Sequence, residues 1–218
     1  YQLHWPERNT NFFGKLGFAP GDEDALTPVA ETLAVLQEFV QAGKIRHIGL
    51  SNETPWGIMR FLQVAEQLDM PRVVTVQNPY SLLNRTYEVG AAEVSWREHC
   101  GLLAYSPLGF GVLTGKYLHG ARPQGARLTL YPDYIRYSSP AAEKATADYV
   151  ELARSNGLDC AQMSLAFVNS RPFLTSTIIG ATTMKQLRSN IDSIDLELSA
   201  EVLEGIQAIH EAHPNPSP

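Results

Sequence analysis

Hydrogen-bonding side chains recur where the apolar, β-rich runs of this sequence end. His4 lies in the run Tyr1–Trp5, Ser51-Asn52 follows Ile45–Leu50, Gln77-Asn78 closes the run that starts at Val73, Tyr105-Ser106 closes the one that starts at Leu102, and Gly180-Ala181-Thr182 follows Ser176–Ile179. Imidazole, hydroxyl, carboxamide and phenol groups all donate or accept hydrogen bonds, the chemistry that holds a polar ligand. Taken singly, a Ser or Asn after a strand is commonly a turn residue or a helix cap. Five such clusters at five successive strand ends argue instead for one shared ligand, provided the fold brings the ends to a common mouth.

The elements that must position these residues are legible from periodicity. None of the five β-rich runs shows the polar alternation of a half-exposed strand, so each is expected to be buried on both faces. Helical patterns lie between them. Val29, Leu33, Leu36 and Val40 form one apolar stripe that Gly43 can terminate in a left-handed conformation. Ile58, Phe61, Leu62, Ala65 and Leu68 repeat the pattern behind a Thr54-Pro55 start. Ser139-Pro140 opens a helix through Ala145, Tyr149 and Leu152, and Asp159 with Gln162 makes a start resembling a capping box for 161–169. Helices at about 184–193 and 200–212 complete the chain.

Buried strands alternating with amphipathic helices define an α/β protein with a parallel sheet. A doubly wound sheet would place G-x-G-x-x-G after an early strand, and the sequence has none; Gly109-Phe110-Gly111 supplies only half of it, behind Pro107. The expected fold is therefore a (β/α)8 TIM barrel. A closed barrel takes eight units and about 250 residues, so these 218 residues hold about five of the eight strand–helix units plus a C-terminal helix. Glu7–Thr27 and Pro107–Ser138 are long loops leaving the C-terminal ends of strands, where barrel enzymes build their sites.

Composition narrows the partners. With 17 Lys and Arg against 23 Asp and Glu, the net charge is −6, and no basic run exists to meet nucleic acid or an anionic membrane. No apolar stretch approaches the ~20 residues of a membrane span. Cys100 and Cys160 lack the spacing of a zinc site and read as small buried apolar residues in a reducing, cytoplasmic setting. The chain starts abruptly, as if something precedes Tyr1, and its end is rich in proline from Pro214 to Pro218.

Five segments in order resemble the second half of the aldo-keto reductase family: His4-Trp5-Pro6, Gly43 to Asn52 (GKIRHIGLSN), Val76 to Tyr80 (VQNPY), Ala104 to Gly109 (AYSPLG) with Leu113 to Tyr117 (LTGKY), and Ile179 to Asn190 (IGATTMKQLRSN). The likeness runs from Tyr1 to about His213, so residues 1–218 are expected to be the C-terminal portion of a single (β/α)8 domain. It implies a barrel that binds NADP(H) in extended form across its mouth and reduces aldehydes or ketones. Ser51, Asn52 and Gln77 match positions that hold the nicotinamide carboxamide, and Tyr105 matches the aromatic residue on which the ring stacks. Ser106, Leu108, Gly109 and Gly111 match the loop that passes the pyrophosphate, where glycine permits close approach. Lys116 and Arg127 resemble its phosphate-binding cations. Gly180, Thr182, Gln186 and Asn190 match the adenosine end, although Thr183 and Gln186 can alternatively form a capping box. The chain departs from the family at Ser189, where Glu is usual, and at Gln186, where a basic residue is usual.

His4 matches the histidine of the catalytic site, whose neutral imidazole donates to the substrate carbonyl as charge develops. His47, within a strand beside Arg46, is read as structural. The family's other catalytic residues, a Tyr tuned by Lys and Asp, belong before the His4 strand, so the chain alone is expected to be poorly folded and inactive. The other function class is a cofactor-binding regulatory module without catalysis, as in channel β subunits of this family. A phosphate-sugar isomerase has less support because no carboxylate occupies a strand end. The expected partner is a small-molecule carbonyl substrate.

Overall fold

The computed structural model describes residues 1–11, 15–19 and 26–218. Five strands, β1 (Gln2–Leu3), β2 (Ile48–Ser51), β3 (Val73–Pro79), β4 (Gly101–Tyr105) and β5 (Leu174–Thr177), follow one another in the sheet in sequence order. β1 pairs parallel with β2, Leu3 opposite Leu50, and β2 pairs parallel with β3, Ser51 opposite Gln77. Between and after the strands run α1 (Val29–Gln41), α2 (Pro55–Gln67), α3 (Ala91–Glu98), α4 (Arg127–Leu130), α5 (Pro140–Ser155), α6 (Cys160–Asn169), α7 (Met184–Asp192) and α8 (Ala200–Ala212). A helix after each of β2 and β3, with sequential neighbours in the sheet, is the winding expected of βαβ units.

The chain divides into two compact units, one of Tyr1–Asn78 with Tyr87–Leu103 and one of Pro79–Thr86 with Ala104–Pro218. In the first, Leu33 and Leu36 of α1 and Ile58, Phe61, Leu62 and Ala65 of α2 are buried, as their spacing requires. Leu68 is not part of that stripe: it caps the end of α2 and is 52% exposed, and Val64 is buried instead. Thr54 caps α2 by accepting from the Gly57 N–H at 3.2 Å, and Pro55 occupies the first helical position.

Several boundaries differ from the sequence reading, each for a local reason. β2 begins at Ile48 rather than Ile45, because the N–H groups of Lys44 and Ile45 both turn back to the Phe39 carbonyl and close α1, with Gly43 left-handed at φ +70°. His47 therefore lies just outside β2, exposed, with its carbonyl accepting from the Tyr1 amino nitrogen. Burial on both faces holds for β2 alone. β3 and β4 alternate, with Val74 39% exposed, and β5 has no fully buried residue. α3 has no counterpart in the sequence reading: only Ala91 and Ser95 of its residues are buried, too few to register as an apolar stripe.

In the second unit, Ser139 and Asp159 cap α5 and α6 through the Ala142 and Gln162 N–H groups. Only half of the expected capping box at Asp159 forms, because the Gln162 side chain donates to the Ser189 carbonyl and ties α6 to α7. α7 stops at Asp192 and tightens into a 3-10 turn, where the Ser193 hydroxyl donates to the Asn190 carbonyl. Pro107–Ser138 is a chain of short turns, 109–114, 118–120, α4 and 135–137. The other long loop, Glu7–Thr27, lies in part outside the described residues.

Candidate functional site

In the first unit the ends of β1, β2 and β3 are joined by a compact hydrogen-bond cluster. The Ser51 hydroxyl donates to the Gln77 carbonyl at 2.8 Å, and the Asn52 N–H donates to the same oxygen at 3.0 Å. The Asn52 side-chain amide donates to the His4 carbonyl at 3.0 Å and lies 3.2 Å from the Ser51 hydroxyl. Asn52 has a left-handed backbone, φ +54°, which turns the chain off the sheet immediately after the strand. Ser51 is buried, Asn52 and Gln77 are half-buried, and the His4 ring is exposed, tilted against Trp5 at 5.3 Å. The four residues singled out here by sequence are thus neighbours.

Immediately beyond the cluster lies a group that sequence reasoning missed. Glu53 is 5% exposed, and its backbone is clamped by Asn78: the Glu53 N–H donates to Asn78 Oδ1 at 3.0 Å, and Asn78 Nδ2 donates to the Glu53 carbonyl at 2.7 Å. Its carboxylate takes both arms of the Arg8 guanidinium and the Thr54 N–H. Arg8 also donates to the Thr54 hydroxyl at 2.8 Å and lies over the Trp56 ring at 4.8 Å. The sequence reading held that no carboxylate occupies a strand end; Glu53 stands two residues past the end of β2. Both of its oxygens are engaged by Arg8, however, so it serves as a structural latch. No local signal relates Arg8 to Glu53 across 45 residues.

In the second unit the corresponding pair is Tyr105 and Ser106. β4 ends at Tyr105, and Ser106 is left-handed at φ +55°. Burial raises the Tyr105 phenol above its ordinary range, opposed by a hydrogen bond to Arg136 and by that residue's positive charge. Burial likewise raises Tyr137, opposed by the Arg136 charge and by a hydrogen bond to the Ser106 side chain. The loop then folds tightly: the Gly109 N–H donates to the Ser106 carbonyl and the Gly111 N–H to the Leu108 carbonyl, each at 2.9 Å. Gly109 and Gly111 have φ of +53° and +86°, and a Cβ on Gly109 would meet the Tyr137 ring at 3.1 Å. Lys116 folds back so that a Cβ on Gly111 would lie 2.9 Å from its Nζ, while Arg127 stands over the Phe110 ring at 5.1 Å. The two cations expected in this loop thus sit on adjacent residues of the same turn.

The segment after β5 is occupied with its own helix. Gln186 accepts from the Thr182 N–H, the Thr182 hydroxyl and the Thr183 N–H, and its own N–H donates to the Thr183 hydroxyl at 3.2 Å. The capping box forms. Asn190, 9% exposed, donates to the Gly180 carbonyl at 3.3 Å, and Gly180, Thr182 and Gln186 are exposed. A cavity of about 510 Å³ lies elsewhere, in the first unit between β1 and α1, lined by Leu3, Val35, Leu36, Phe39 and Ile45. It includes none of the candidate residues, and its apolar walls offer little to a polar ligand.

The parallel sheet with its strands in sequence order and helices between them is the winding of a (β/α)8 protein. The aldo/keto reductase family model matches residues 1–211, and the chain belongs to that family. It is 57% identical over 218 residues to the protein tas of Escherichia coli K12, covering all of this chain and 63% of that protein. It is 41% identical over 205 residues to an aldo-keto reductase of Babesia bovis, covering 87% of this chain and 71% of that one. A probable voltage-gated potassium channel subunit beta of Oryza sativa is 30% identical over 198 residues, covering 88% of this chain and 60% of its own.

Proposed function

We propose that residues 1–218 are the C-terminal portion of a single (β/α)8 domain, and that the protein carrying it is an NADP(H)-dependent oxidoreductase that reduces aldehydes or ketones to alcohols. The observation that carries this reading is the cluster at the adjoining ends of β2 and β3, in which the Ser51 hydroxyl and the Asn52 carboxamide lie together and Gln77 stands opposite Ser51 in the sheet, its backbone carbonyl accepting from both residues. A nicotinamide carboxamide presents both a donor and an acceptor, and Asn and Gln side chains answer both.

The donor set fits a nicotinamide dinucleotide. Ser51, Asn52 and Gln77 would hold the carboxamide, and the half-buried Tyr105 ring would support one face of the nicotinamide. The backbone of Ser106, Leu108, Gly109 and Gly111, with Lys116 and Arg127 on the same turn, would meet the pyrophosphate and phosphate groups. Gly180, Thr182, Gln186 and Asn190 would face the adenosine end; the oxygen of Gln186 is already committed to the cap, leaving its NH2 group for a ligand. When bound, this cofactor supplies a hydride. His4, with an exposed imidazole, would donate to the substrate carbonyl oxygen and stabilise the charge that develops there. No residue of this chain is assigned as proton donor.

A second reading, a regulatory module that binds the cofactor without catalysis, draws on the likeness to the channel subunit. Both readings are tested on the full-length protein by titrating NADPH and NADH against intrinsic fluorescence and by following NADPH absorbance with a nitrobenzaldehyde. Tighter binding of NADPH than NADH is expected, from Lys116 and Arg127, together with oxidation of NADPH by the aldehyde. Equal dissociation constants refute the NADP(H) assignment. Binding without turnover selects the module, and no binding of either refutes both.

A further inference from the structure

Tyr105 and Ser106 are gripped from outside their own strand. The 3-10 turn 135–137 presents Arg136 and Tyr137 side by side; Arg136 hydrogen-bonds the Tyr105 side chain, and Tyr137 hydrogen-bonds that of Ser106. Two adjacent residues thus clamp two adjacent residues. Tyr137 is 1% exposed and packs its ring edge on Phe110 at 4.9 Å, so one half of the clamp is rigid. The other half is fastened by the C-terminal segment: Arg136 Nε donates to the Pro218 carbonyl at 3.2 Å, and the Arg136 guanidinium also lies 5.4 Å from the Tyr137 ring centre.

That segment is itself well held. The Ser139 hydroxyl donates to the Pro216 carbonyl at 3.2 Å, the Ser217 N–H donates to the Leu83 carbonyl at 3.0 Å, and Asn215 Oδ1 accepts from the Arg85 N–H at 2.7 Å. Its prolines restrict φ, so a five-residue strap from Pro214 to Pro218 is held at small entropic cost. A long arginine left free would sample many rotamers, whereas one tied at Nε by a fixed carbonyl presents its remaining N–H groups in a set direction.

We propose that Arg136 is a positioning residue that fixes the Tyr105 ring, and that the C-terminal strap acts on Tyr105 by fixing Arg136; the purpose of that orientation, to support a nicotinamide, rests on the function proposed above. The strap then tunes cofactor affinity without touching the cofactor. Arg136 does not contact the reacting atoms in this scheme.

The test uses the full-length protein with Arg136→Met, Tyr105→Phe, the double variant, and a chain ending at Asn215. Without cofactor, the ionisation of Tyr105 is isolated as the difference in tyrosinate absorbance between each background and its Tyr105→Phe partner. It should move to higher pH in Arg136→Met, because the guanidinium favours the phenolate. With NADPH, Arg136→Met and Tyr105→Phe should each weaken binding by about three- to tenfold, the net worth of one hydrogen bond, and the double variant should bind no more weakly than either single one. Ending the chain at Asn215 should weaken NADPH with Arg136 present and have no further effect with Met at 136.

An unmoved Tyr105 titration, or binding losses that multiply in the double variant, overturns the proposal. Loss of affinity on shortening that persists in the Arg136→Met background overturns the role of the strap. A shifted titration in a protein that binds no NADPH upholds the clamp and refutes the cofactor reading instead.

Discussion

Replacing Arg8 by Met should destabilise the fold more than any other single change among the candidate residues of the first unit. The substitution removes two bonds to the Glu53 carboxylate and one to the Thr54 hydroxyl, while keeping an apolar side chain against Trp56. What remains is a carboxylate with 3% of its side chain exposed and the Thr54 N–H as its principal donor. Breaking one side of a buried ion pair costs ~3–5 kcal/mol, because the surviving charge stays desolvated. Arg8 is itself 19% exposed, so water can partly replace it, which places the expected loss at about 2–4 kcal/mol. Cation–π contact with Trp56 adds ~0.5–1 kcal/mol, only part of which Met retains.

Glu53→Gln in the Arg8→Met background is the decisive control. A neutral amide has no charge to strand, and its oxygen can still accept from the Thr54 N–H, so most of the lost stability should return. Urea unfolding of the full-length protein, read at constant m, supplies the four corners of the cycle. Because Asn78 clamps the Glu53 backbone directly after Asn52, Arg8→Met should also weaken NADPH binding, and the double variant should recover it. A loss below about 1 kcal/mol, or a double variant whose loss equals the sum of the singles, would show that the pair holds nothing and that the argument from desolvation is wrong here.

Tyr105→Ala should weaken NADPH by ~0.5–3 kcal/mol while leaving the circular dichroism of the folded state intact; unfolding would make Tyr105 a core residue instead. Gly57→Ala, which helix propensity alone would favour by ~1 kcal/mol, should lower the melting temperature, because its Cβ would lie 2.1 Å from Glu53 Oε1 and 2.5 Å from Arg8 Nη2. A rise in melting temperature would show that the latch yields. Burial pushes Cys100 up to about 11 and Cys160 up to about 12 from 9.0, so the folded state favours both neutral thiols. Their contribution is complete below pH 9 and is lost as pH rises from there through those values; Cys100→Ala with Cys160→Ala should therefore flatten the alkaline fall in urea midpoint, and an unchanged fall would contradict it.

What the sequence disclosed depended on whether the cause was local. The Thr54-Pro55 start of α2 was readable because a cap and an apolar period are written within one turn of each other. The clusters at the ends of β2, β3 and β4 were readable because polar residues follow apolar runs there, and the family resemblance then assigned them roles. The Thr183–Gln186 box was readable as an alternative, and it forms. By contrast, residues 45–47 have the composition of a strand yet lie outside β2, since the N–H groups of Lys44 and Ile45 find the Phe39 carbonyl and close α1 before the chain reaches a neighbouring strand. α3 is mostly exposed and so carries little hydrophobic signal. Arg8 meets Glu53 across 45 residues and Arg136 meets the strap across 82, pairings that no window of sequence contains.

Asn52 and Ser106 share a feature that bears on why polar residues stand at these strand ends at all. Each directly follows the last residue of a strand, and each has a positive φ, +54° and +55°. Glycine would adopt that conformation without strain; Asn tolerates it, and Ser does so at a cost, of order 1–3 kcal/mol for such a position. The chain nevertheless carries side chains at both places, and each side chain is engaged: Asn52 with His4 and Ser51, Ser106 with Tyr137. These bonds offset the strain only in part, since one neutral hydrogen bond contributes about 0.5–1.5 kcal/mol. A turn that needed only to reverse the chain would be better served by glycine, as at Gly43, where α1 ends with a positive φ and no side chain. Non-glycine residues take the same conformation at Asp69 and His99, where helices end, so a positive φ by itself marks no ligand. At the strand ends the side chains close bonds within the protein, Asn52 to the end of β1 and Ser106 to the turn at 135–137, and those bonds rather than the path of the backbone account for side chains at both places.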